Sequence, residues 1–116
     1  MGIDLVRISR VGSAVERLGH RFLSRVFTEG ELRDCLSRKE KHRSLAARFA
    51  AKEAFMKAMG APFPWKEMEI TLAQSGQPSL IIHGKARGAL EELGLRDIRV
   101  SLTHEGEYAA AVVMVG

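Results

Sequence analysis

The segment RFAAKEAFMKAMG, residues 48–60, decides how this chain folds. On a helical wheel its large apolar side chains fall on one side and its alanines on another, and no broad solvated face remains. A helix that is apolar nearly all round is usually buried. Gly60 tolerates the left-handed conformation that ends helices, and Pro62 and Pro64 prevent the helix from resuming. The segment therefore predicts a long, buried central helix that ends at Gly60.

Four charged residues interrupt the apolar surfaces of this helix: Arg48, Lys52, Glu53 and Lys57. Buried charges are costly unless they are paired or bind something. One interpretation is a core helix in which the long basic stems reach towards water and Glu53 pairs with Lys57 at i,i+4 spacing. The other interpretation is that these charges line a functional site. Periodicity alone does not separate the two, so the rest of the chain has to decide.

The composition is that of an ordinary globular domain. The chain has 116 residues, of which 46% are hydrophobic and 28% charged, enough for one domain over residues 1–116 with a modest core. Its single cysteine, Cys35, rules out an intrachain disulfide and is expected to be a packed apolar residue in a reducing compartment. No apolar run reaches the length of a membrane span, and no signal peptide is visible. We expect a cytoplasmic protein without a membrane partner.

The net charge of +4 is unevenly distributed. Residues 1–60 contain 13 Lys/Arg against 7 Asp/Glu, a net charge of +6, whereas residues 61–116 contain 5 against 7, a net charge of −2. A positive field on the N-terminal half attracts anionic partners, which include nucleic acid, phosphorylated small molecules and acidic proteins.

Apolar periodicity and chain breakers predict the order of the secondary structure. We expect strands over residues 3–8, 67–73, 79–83, 98–103 and 108–115, and further helices over residues 10–18, 21–26, 28–37 and 85–93. Ser9 is a candidate N-cap for the first helix, and Thr28 with Glu31 matches a capping box. The pattern predicts an α+β fold, with a mainly antiparallel sheet and a long central helix.

Three arginines follow the first strand. Arg10, Arg17 and Arg21 are spaced by seven and four residues, so they would share one basic face if the helix continued through Gly19. The alternative is an ordinary solvated surface.

A second basic cluster, RKEKHR at residues 38–43, contains Lys41 and Arg43 and directly precedes the central helix. We interpret it as a connector that is either a solvated loop or a grip for phosphate groups.

Most common catalytic motifs are missing from the sequence. It contains no GxxxxGK or GxGxxG loop, no Cys/His spacing typical of zinc and no nucleophile elbow. What remains is Asp4, Glu53 and His104 among lysines and arginines. Two carboxylates from different elements are a usual way to hold Mg²⁺, which takes phosphate oxygens as further ligands. These residue types favour metal-assisted chemistry on a phosphorylated substrate.

Three separated segments resemble the holo-acyl-carrier-protein synthase family, the small 4′-phosphopantetheinyl transferases. They are GID at residues 2–4 followed by Arg10, RFAAKEA at residues 48–54 followed by Lys57 and Gly60, and SLTH at residues 101–104 followed by YAA at residues 108–110. Their order and spacing match over essentially the whole chain, and RFAAKEA is the most specific of them. The hairpin turn departs from the family pattern: it reads SGQP, where the family often has Asn-Gly-Lys-Pro, so we expect a phosphate or adenosine contact to be lost at Gln77.

The resemblance implies a reaction and its partners. Coenzyme A would donate its 4′-phosphopantetheine arm to a serine hydroxyl of an apo acyl carrier protein, in fatty acid biosynthesis, and leave adenosine 3′,5′-bisphosphate. The family is dependent on Mg²⁺ and homotrimeric, with active sites at subunit interfaces. In this chain, the large apolar side chains and the alanines of the central helix offer more apolar surface than one small domain easily covers, which is a further reason to expect assembly.

The resemblance also implies roles for particular residues. Asp4 and Glu53 would bind Mg²⁺, and Lys57 would neutralise or protonate the leaving phosphate. Coenzyme A would be bound by Arg48, Lys52, Lys41, Arg43, Gly60, Thr103 and His104, and the acidic carrier protein by Arg10, Arg17 and Arg21. The attacking serine would lose its proton to a metal-bound water or to a nearby carboxylate, and the sequence does not decide which.

Two other classes of protein compete with this interpretation. A small basic nucleic-acid-binding module fits the charge of the N-terminal half, but the chain has only seven aromatic residues and no aromatic–basic pattern for base stacking. A structural subunit would use the alanine face only for assembly. Asp4 and Glu53 argue against the nucleic-acid binder, because carboxylates weaken a site for a phosphate backbone. We therefore expect no nucleic-acid partner.

Overall fold

The elements follow the predicted order in the computed structural model, which describes residues 1–116. The strands are β1 (Gly2–Arg7), β2 (Met68–Leu72), β3 (Pro78–Ile82), β4 (Ile98–Glu105) and β5 (Tyr108–Val115). The helices are α1 (Ile8–Leu18), α2 (His20–Val26), α3 (Glu29–Leu36), α4 (Lys41–Met59) and α5 (Gly84–Glu92), with a short 3₁₀ turn at Trp65–Glu67. The predicted α+β class is confirmed.

The strands form two separate antiparallel sheets rather than one. β5 lies between β1 and β4 in a three-stranded sheet, and β2 pairs only with β3 in a hairpin. In the larger sheet Asp4 lies opposite Ala111, and Leu102 lies opposite Ala111 on the other side. β3 and β4 pass close to each other without backbone pairing, so a cleft is left between the two sheets.

Helix α4 is the buried central helix that the sequence predicts. Of its 19 residues only Lys41 and Lys57 are exposed. Its alanine side packs on β1 so closely that a Cβ added at Gly2 would lie 1.9 Å from the carbonyl oxygen of Ala54. Glycine in a strand marks this kind of close backbone approach. The alanine side is therefore covered by the chain's own sheet. No helix combines the length and the apolar content that crossing a membrane requires.

The two ends of α4 differ from one another in how well the sequence predicts them. Gly60 caps the C-terminus in the left-handed conformation, with φ 70°, as expected. The N-terminus lies at Lys41, so the interpretation of residues 38–43 as a connector is wrong for its second half. No glycine or proline separates Lys41 from the segment at 48–60, and lysine and arginine are good helix formers, so the helix extends upstream.

The helices after β1 also differ in detail from the prediction. Helix α1 begins at Ile8, and Arg7 is its N-cap without a side-chain hydrogen bond, so the prediction of Ser9 as the cap is wrong. Gly19, with φ 56°, ends α1, and α2 begins again at His20. The helix is therefore not continuous through Gly19, which was the condition for a shared face of Arg10, Arg17 and Arg21, and the three arginines lie on two helices.

Candidate active site

One end of α4 meets β1 at a lysine–carboxylate pair. The period of two along β1 turns Asp4 towards α4, on the same side as buried Gly2 and Val6. Lys57 Nζ donates to Asp4 Oδ1 at 2.9 Å and to the carbonyl oxygen of Ile3 at 3.0 Å. The expected alternative, a Glu53–Lys57 pair within the helix, does not form because Lys57 turns to the strand.

Glu53 lies one helical turn before Lys57, on the same side of α4. It is half-buried, and its carboxylate takes part in none of the ion pairs. Asp4 and Glu53 therefore belong to different elements, and each is related to Lys57: Asp4 by a hydrogen bond and Glu53 by i,i+4 spacing on α4. No three or more His, Cys, Asp or Glu side chains of this chain are placed so that together they could hold a metal ion. Two carboxylates are a fitting donor set for Mg²⁺, which keeps waters and takes phosphate oxygens.

A cleft of about 590 Å³ opens beside the other half of α4. It lies between α4, the turn of the β2–β3 hairpin and β4. Four of the predicted coenzyme A residues line it: Arg43, Arg48, Thr103 and His104. Arg38 and Gln77 also contribute to its wall. The cleft thus combines three arginines with hydroxyl and imidazole groups, a lining suited to phosphate oxygens.

Arg48 is held in this cleft by an acidic residue that the sequence analysis did not single out. Its side chain is only 3% exposed and pairs with Asp34 on α3. Asp34 also accepts two hydrogen bonds from Arg38, at 3.1 and 3.2 Å. The Arg38 hydrogen bonds and the charge of Arg48 lower the pKa of Asp34. Arg48 Nε is the one buried side-chain polar atom without a partner.

Lys52 does not reach the cleft, and its predicted contact with coenzyme A is corrected. Its side chain is fully buried, and Nζ donates to Glu31 Oε1 at 2.7 Å and to the carbonyl oxygens of Val26 and Trp65 at 2.6 and 3.2 Å. Burial lowers the pKa of Lys52, and the Glu31 carboxylate opposes this change. With all three donors used inside the protein, the ammonium has none left for a phosphate.

The predicted capping box of Thr28 and Glu31 is confirmed. The Thr28 hydroxyl accepts from the Glu31 backbone N–H at 3.2 Å, and Glu31 accepts from the Thr28 N–H at 3.0 Å. The second carboxylate oxygen of Glu31 accepts from the backbone N–H of Ile70 at 2.9 Å. One carboxylate therefore ties α3, α4 and β2 together.

The other residues named from the sequence lie outside the cleft lining. Lys41 is exposed on the first turn of α4, and Gly60 is exposed at its end, so their contacts with coenzyme A stay predictions. Cys35 is fully buried, and burial raises the pKa of its thiol to about 11, as expected for a packed apolar residue.

The arginines proposed to face a carrier protein are exposed on α1 and α2. Arg21 lines a second groove, of about 550 Å³, together with Arg25. Phe49 and Trp65, stacked with ring centroids 5.1 Å apart, form part of its apolar wall. Arg10 and Arg17 lie outside this groove.

Sequence reasoning missed Asp34 and the role of Glu31 towards Lys52. The i,i+4 spacing of Asp34 and Arg38 is visible in the sequence and could have indicated their pair. Nothing local indicates the pair of Glu31 with Lys52, because the two residues are 21 positions apart.

The fold and the site together define a class of protein: a phosphate-handling enzyme, in which one half of the central helix carries a lysine and carboxylates and the other half lines an arginine-rich cleft. Comparison with known proteins identifies the family. Residues 1–113 match the model of the 4′-phosphopantetheinyl transferase superfamily, ACPS. The holo-[acyl-carrier-protein] synthase of Moorella thermoacetica is 49% identical over 117 residues, which covers 98% of this chain and 91% of that protein.

Solved structures agree with the sequence match. The holo-[acyl-carrier-protein] synthase of Helicobacter pylori in complex with coenzyme A superposes with a TM-score of 0.87 at 28% identity, covering 99% of this chain and 98% of the other. That of Neisseria meningitidis gives a TM-score of 0.89 at 30% identity, covering 99% and 95%. The chain belongs to the 4′-phosphopantetheinyl transferase superfamily, and within it to the holo-[acyl-carrier-protein] synthase family.

Proposed function

We propose that the Asp4–Glu53–Lys57 site carries out this transfer, with the arginine-lined cleft holding coenzyme A. The hydroxyl of a carrier-protein serine attacks the phosphorus next to the pantetheine arm and loses its proton to a water or to a nearby carboxylate. The bond from that phosphorus to the bridging oxygen breaks, and adenosine 3′,5′-bisphosphate leaves. The observation that supports this assignment most is the junction of β1 and α4, where Lys57 pairs with Asp4 and Glu53 lies one turn earlier on a helix whose other half lines a basic cleft.

Asp4 and Glu53 would hold Mg²⁺ in this proposal. The metal would neutralise charge on the pyrophosphate. Asp4 is kept in place by Lys57, while no ion pair occupies Glu53, so carboxylate oxygens are available to a cation. Thr103 and His104, across the cleft from α4, would contact phosphate oxygens from the side of β4.

Lys57 would stabilise the leaving phosphate. An ammonium group has three N–H donors, and two of them point to Asp4 and the carbonyl oxygen of Ile3. The side chain is 55% exposed, so the third donor can reach a bound phosphate. The two internal bonds fix the position of the charge before substrate arrives, which is the condition for effective electrostatic stabilisation.

A transfer assay tests the function directly. The protein is incubated with coenzyme A, Mg²⁺ and an apo acyl carrier protein, and the intact mass of the carrier is measured. We expect the carrier to gain the mass of 4′-phosphopantetheine, and to gain nothing when its acceptor serine is replaced by alanine or when a chelator replaces Mg²⁺. An unchanged carrier mass with Mg²⁺ present and a carrier that a known transferase can modify would contradict the proposal.

We further propose that the enzyme is a homotrimer, although α4 is not the reason. Both sides of α4 are covered within one chain, so its surplus of apolar faces is accounted for without assembly. The uncovered apolar surface is the outer face of the three-stranded sheet. Ile3 and Leu5 on β1 are each 64% exposed, Met114 on β5 is 51% exposed, and Ile3 lies opposite Val112 in the register. A contiguous apolar surface of this kind is typical of an interface.

The number three comes from the family resemblance, and each active site would lie at a subunit interface. Sedimentation equilibrium at micromolar concentration should give three times the chain mass. Leu5→Asp places a charge on the outer face of the sheet and should shift the protein towards monomer. A fully active wild-type monomer would contradict this part of the proposal.

The carrier protein would dock on the exposed arginines of α1 and α2. Arg21 and Arg25 border an apolar groove, so an acidic partner finds charge and apolar surface together. Arg10 and Arg17 extend the basic surface along α1, which begins directly after the strand that carries Asp4. Since Cys35 indicates a reducing compartment, we place the enzyme in the cytoplasm, acting in fatty acid biosynthesis.

A further inference from the structure

Asp34 occupies an unusual position next to the basic cleft. It is on α3, outside the cleft lining, and it contacts two of the arginines that form the cleft wall. Its Oδ1 accepts from Arg38 at 3.1 Å, and its Oδ2 accepts from Arg38 Nε at 3.2 Å and from Arg48. A single carboxylate outside the cleft lining therefore binds two of the guanidinium groups in the cleft wall.

The contact with Asp34 has different consequences for Arg48 and for Arg38. Arg48 is only 3% exposed, so without a counterion its charge would be buried and unpaired. A guanidinium is planar and rigid, so a bond at one of its nitrogens also fixes the direction of the others. Arg48 Nε is left without a protein acceptor in this fixed orientation. Arg38 is 43% exposed, and its bidentate bond limits the conformations of an otherwise free side chain.

The charge balance leaves the cleft attractive to phosphate. Two guanidinium groups against one carboxylate give a net charge of +1, and Arg43 raises it further. The arginine contacts and charges that lower the pKa of Asp34 keep it ionised at neutral pH. Asp34 therefore orders the arginines without cancelling their charge.

We propose that Asp34 is a positioning residue for coenzyme A, which fixes Arg48 and Arg38 in the orientation that receives a phosphate group. This inference rests on the proposed function, since it takes coenzyme A as the ligand of the cleft. Asp34 touches neither the substrate nor the reacting atoms. It acts on the binding of one substrate and not on the docking of the carrier protein.

Asp34→Asn tests the inference, because it removes the charge and keeps the shape. We expect the KM for coenzyme A to rise about tenfold, which corresponds to the loss of about one charge-assisted hydrogen bond. The kcat and the KM for the carrier protein should stay within about twofold of wild type. Asp34→Glu moves the charge by one methylene and should give an intermediate KM for coenzyme A.

Glu91→Gln is a matched control. It breaks the exposed i,i+4 pair with Arg87, at 3.3 Å on α5, away from the cleft. It should leave both KM values unchanged. Calorimetric titration of each variant with coenzyme A, without carrier protein, separates binding from turnover, and a thermal melt shows which variants are folded.

The outcomes separate the two claims. Wild-type protein that binds no coenzyme A would overturn the proposed function and this inference together. If the wild-type protein binds coenzyme A and folded Asp34→Asn binds it equally well, only the positioning role of Asp34 is overturned. Equal losses in both KM values and kcat would also overturn it, because they indicate a general structural defect. If Asp34→Asn does not fold, Asp34→Glu decides: a raised KM for coenzyme A supports the role, and a wild-type value contradicts it.

Discussion

Two lysines of the central helix, Lys52 and Lys57, are five residues apart and point to different sides of it, and each forms a pair with a carboxylate. Lys52 and Glu31 are 2.7 Å apart and both are 0% exposed. Lys57 and Asp4 are 2.9 Å apart, and their side chains are 55% and 14% exposed. The residue types and distances are nearly the same, so burial is what distinguishes the pairs.

The difference shows how a charged residue in a buried helix acquires its role. Lys52 gives all its donors to Glu31, Val26 and Trp65, which joins α4 to its neighbours but leaves nothing for a ligand. Lys57 keeps a donor free at the surface beside two carboxylates. The buried pair supports the fold, and the open pair is available for chemistry.

The largest expected effect is at the two carboxylates of the proposed metal site. Asp4→Ala and Glu53→Ala should each reduce transfer by at least about a thousandfold, since a lost metal ligand costs several kcal/mol of transition-state stabilisation. Both variants should remain folded, because the site is at the surface end of α4. A turnover rate near that of wild type with saturating Mg²⁺, measured by the carrier mass assay, would contradict the assignment of Asp4 and Glu53 as Mg²⁺ ligands. Loss of folding would instead favour a purely structural pair.

The next effect is at the buried pair. Lys52→Met should lower the free energy of unfolding by about 3 kcal/mol, because it leaves the Glu31 carboxylate buried without its counterion. We place the cost at the low end for such pairs since Glu31 keeps the N–H donors of Thr28 and Ile70. Urea unfolding measures it. Lys57→Met is the matched control, and it should cost less than about 1 kcal/mol, as exposed pairs do. Equal losses in the two variants would remove the distinction between the pairs.

A smaller effect is expected on the carrier protein. Arg17→Glu and Arg21→Glu should each raise the KM for the carrier about tenfold and change the KM for coenzyme A little, since complementary charge acts mainly on association. Wild-type activity at sub-saturating carrier should fall with added salt, and the variants should lose most of that dependence. If both variants keep the wild-type KM and salt response, the carrier docks elsewhere and these arginines form only a solvated surface.

The smallest effect concerns Glu69, a carboxylate of intermediate exposure. A hydrogen bond from the Thr28 hydroxyl at 2.6 Å lowers its pKa below 4.5, and a weaker contribution in the same direction comes from the His83 ring N–H, which donates to Glu69 Oε1 at 3.2 Å. Because the folded pKa is the lower one, the ionised group stabilises the protein above about pH 4.5, and this contribution disappears as the pH falls through the folded value.

Glu69→Gln should therefore reduce the free energy of unfolding at pH 7 by less than about 1 kcal/mol. The difference from wild type should vanish in acid, where both proteins carry an uncharged side chain at this position. Urea midpoints at neutral and acid pH give the comparison. A difference that is the same at both pH values would show that the carboxylate charge contributes nothing here.

The sequence predicts features that local rules control. The capping box of Thr28 and Glu31, the end of α4 at Gly60 and the burial of α4 all depend on residues within a few positions of one another. The start of α4 at Lys41 was missed because helix propensity gives no sharp stop signal between polar helix formers. The split into two sheets depends on long-range packing that strand periodicity does not encode.

The candidate site was predictable only in part. Asp4 and Glu53 stand out as two carboxylates from different elements among basic residues, and the resemblance gives Lys57 and Arg48 their roles. Lys52 was placed with the phosphate contacts because it shares their helix, and the structure assigns it to the core instead. Its partner Glu31 already had a local role in the capping box, so no feature of the sequence indicated that Glu31 also pairs with Lys52. Ion pairs between distant residues are set by the tertiary fold.

One measurement tests most directly whether the buried pair is structural and the open pair functional. It is the rate of phosphopantetheine transfer by Lys52→Met and by Lys57→Met. The rates are measured at a low temperature at which circular dichroism shows both variants to be folded. We expect folded Lys52→Met to keep kcat within a few-fold of wild type, and Lys57→Met to lose about a hundredfold or more, as expected for loss of a group that neutralises or protonates the leaving phosphate. The opposite pattern, with Lys52→Met folded but inactive and Lys57→Met active, would contradict the assignment and return Lys52 to the phosphate site.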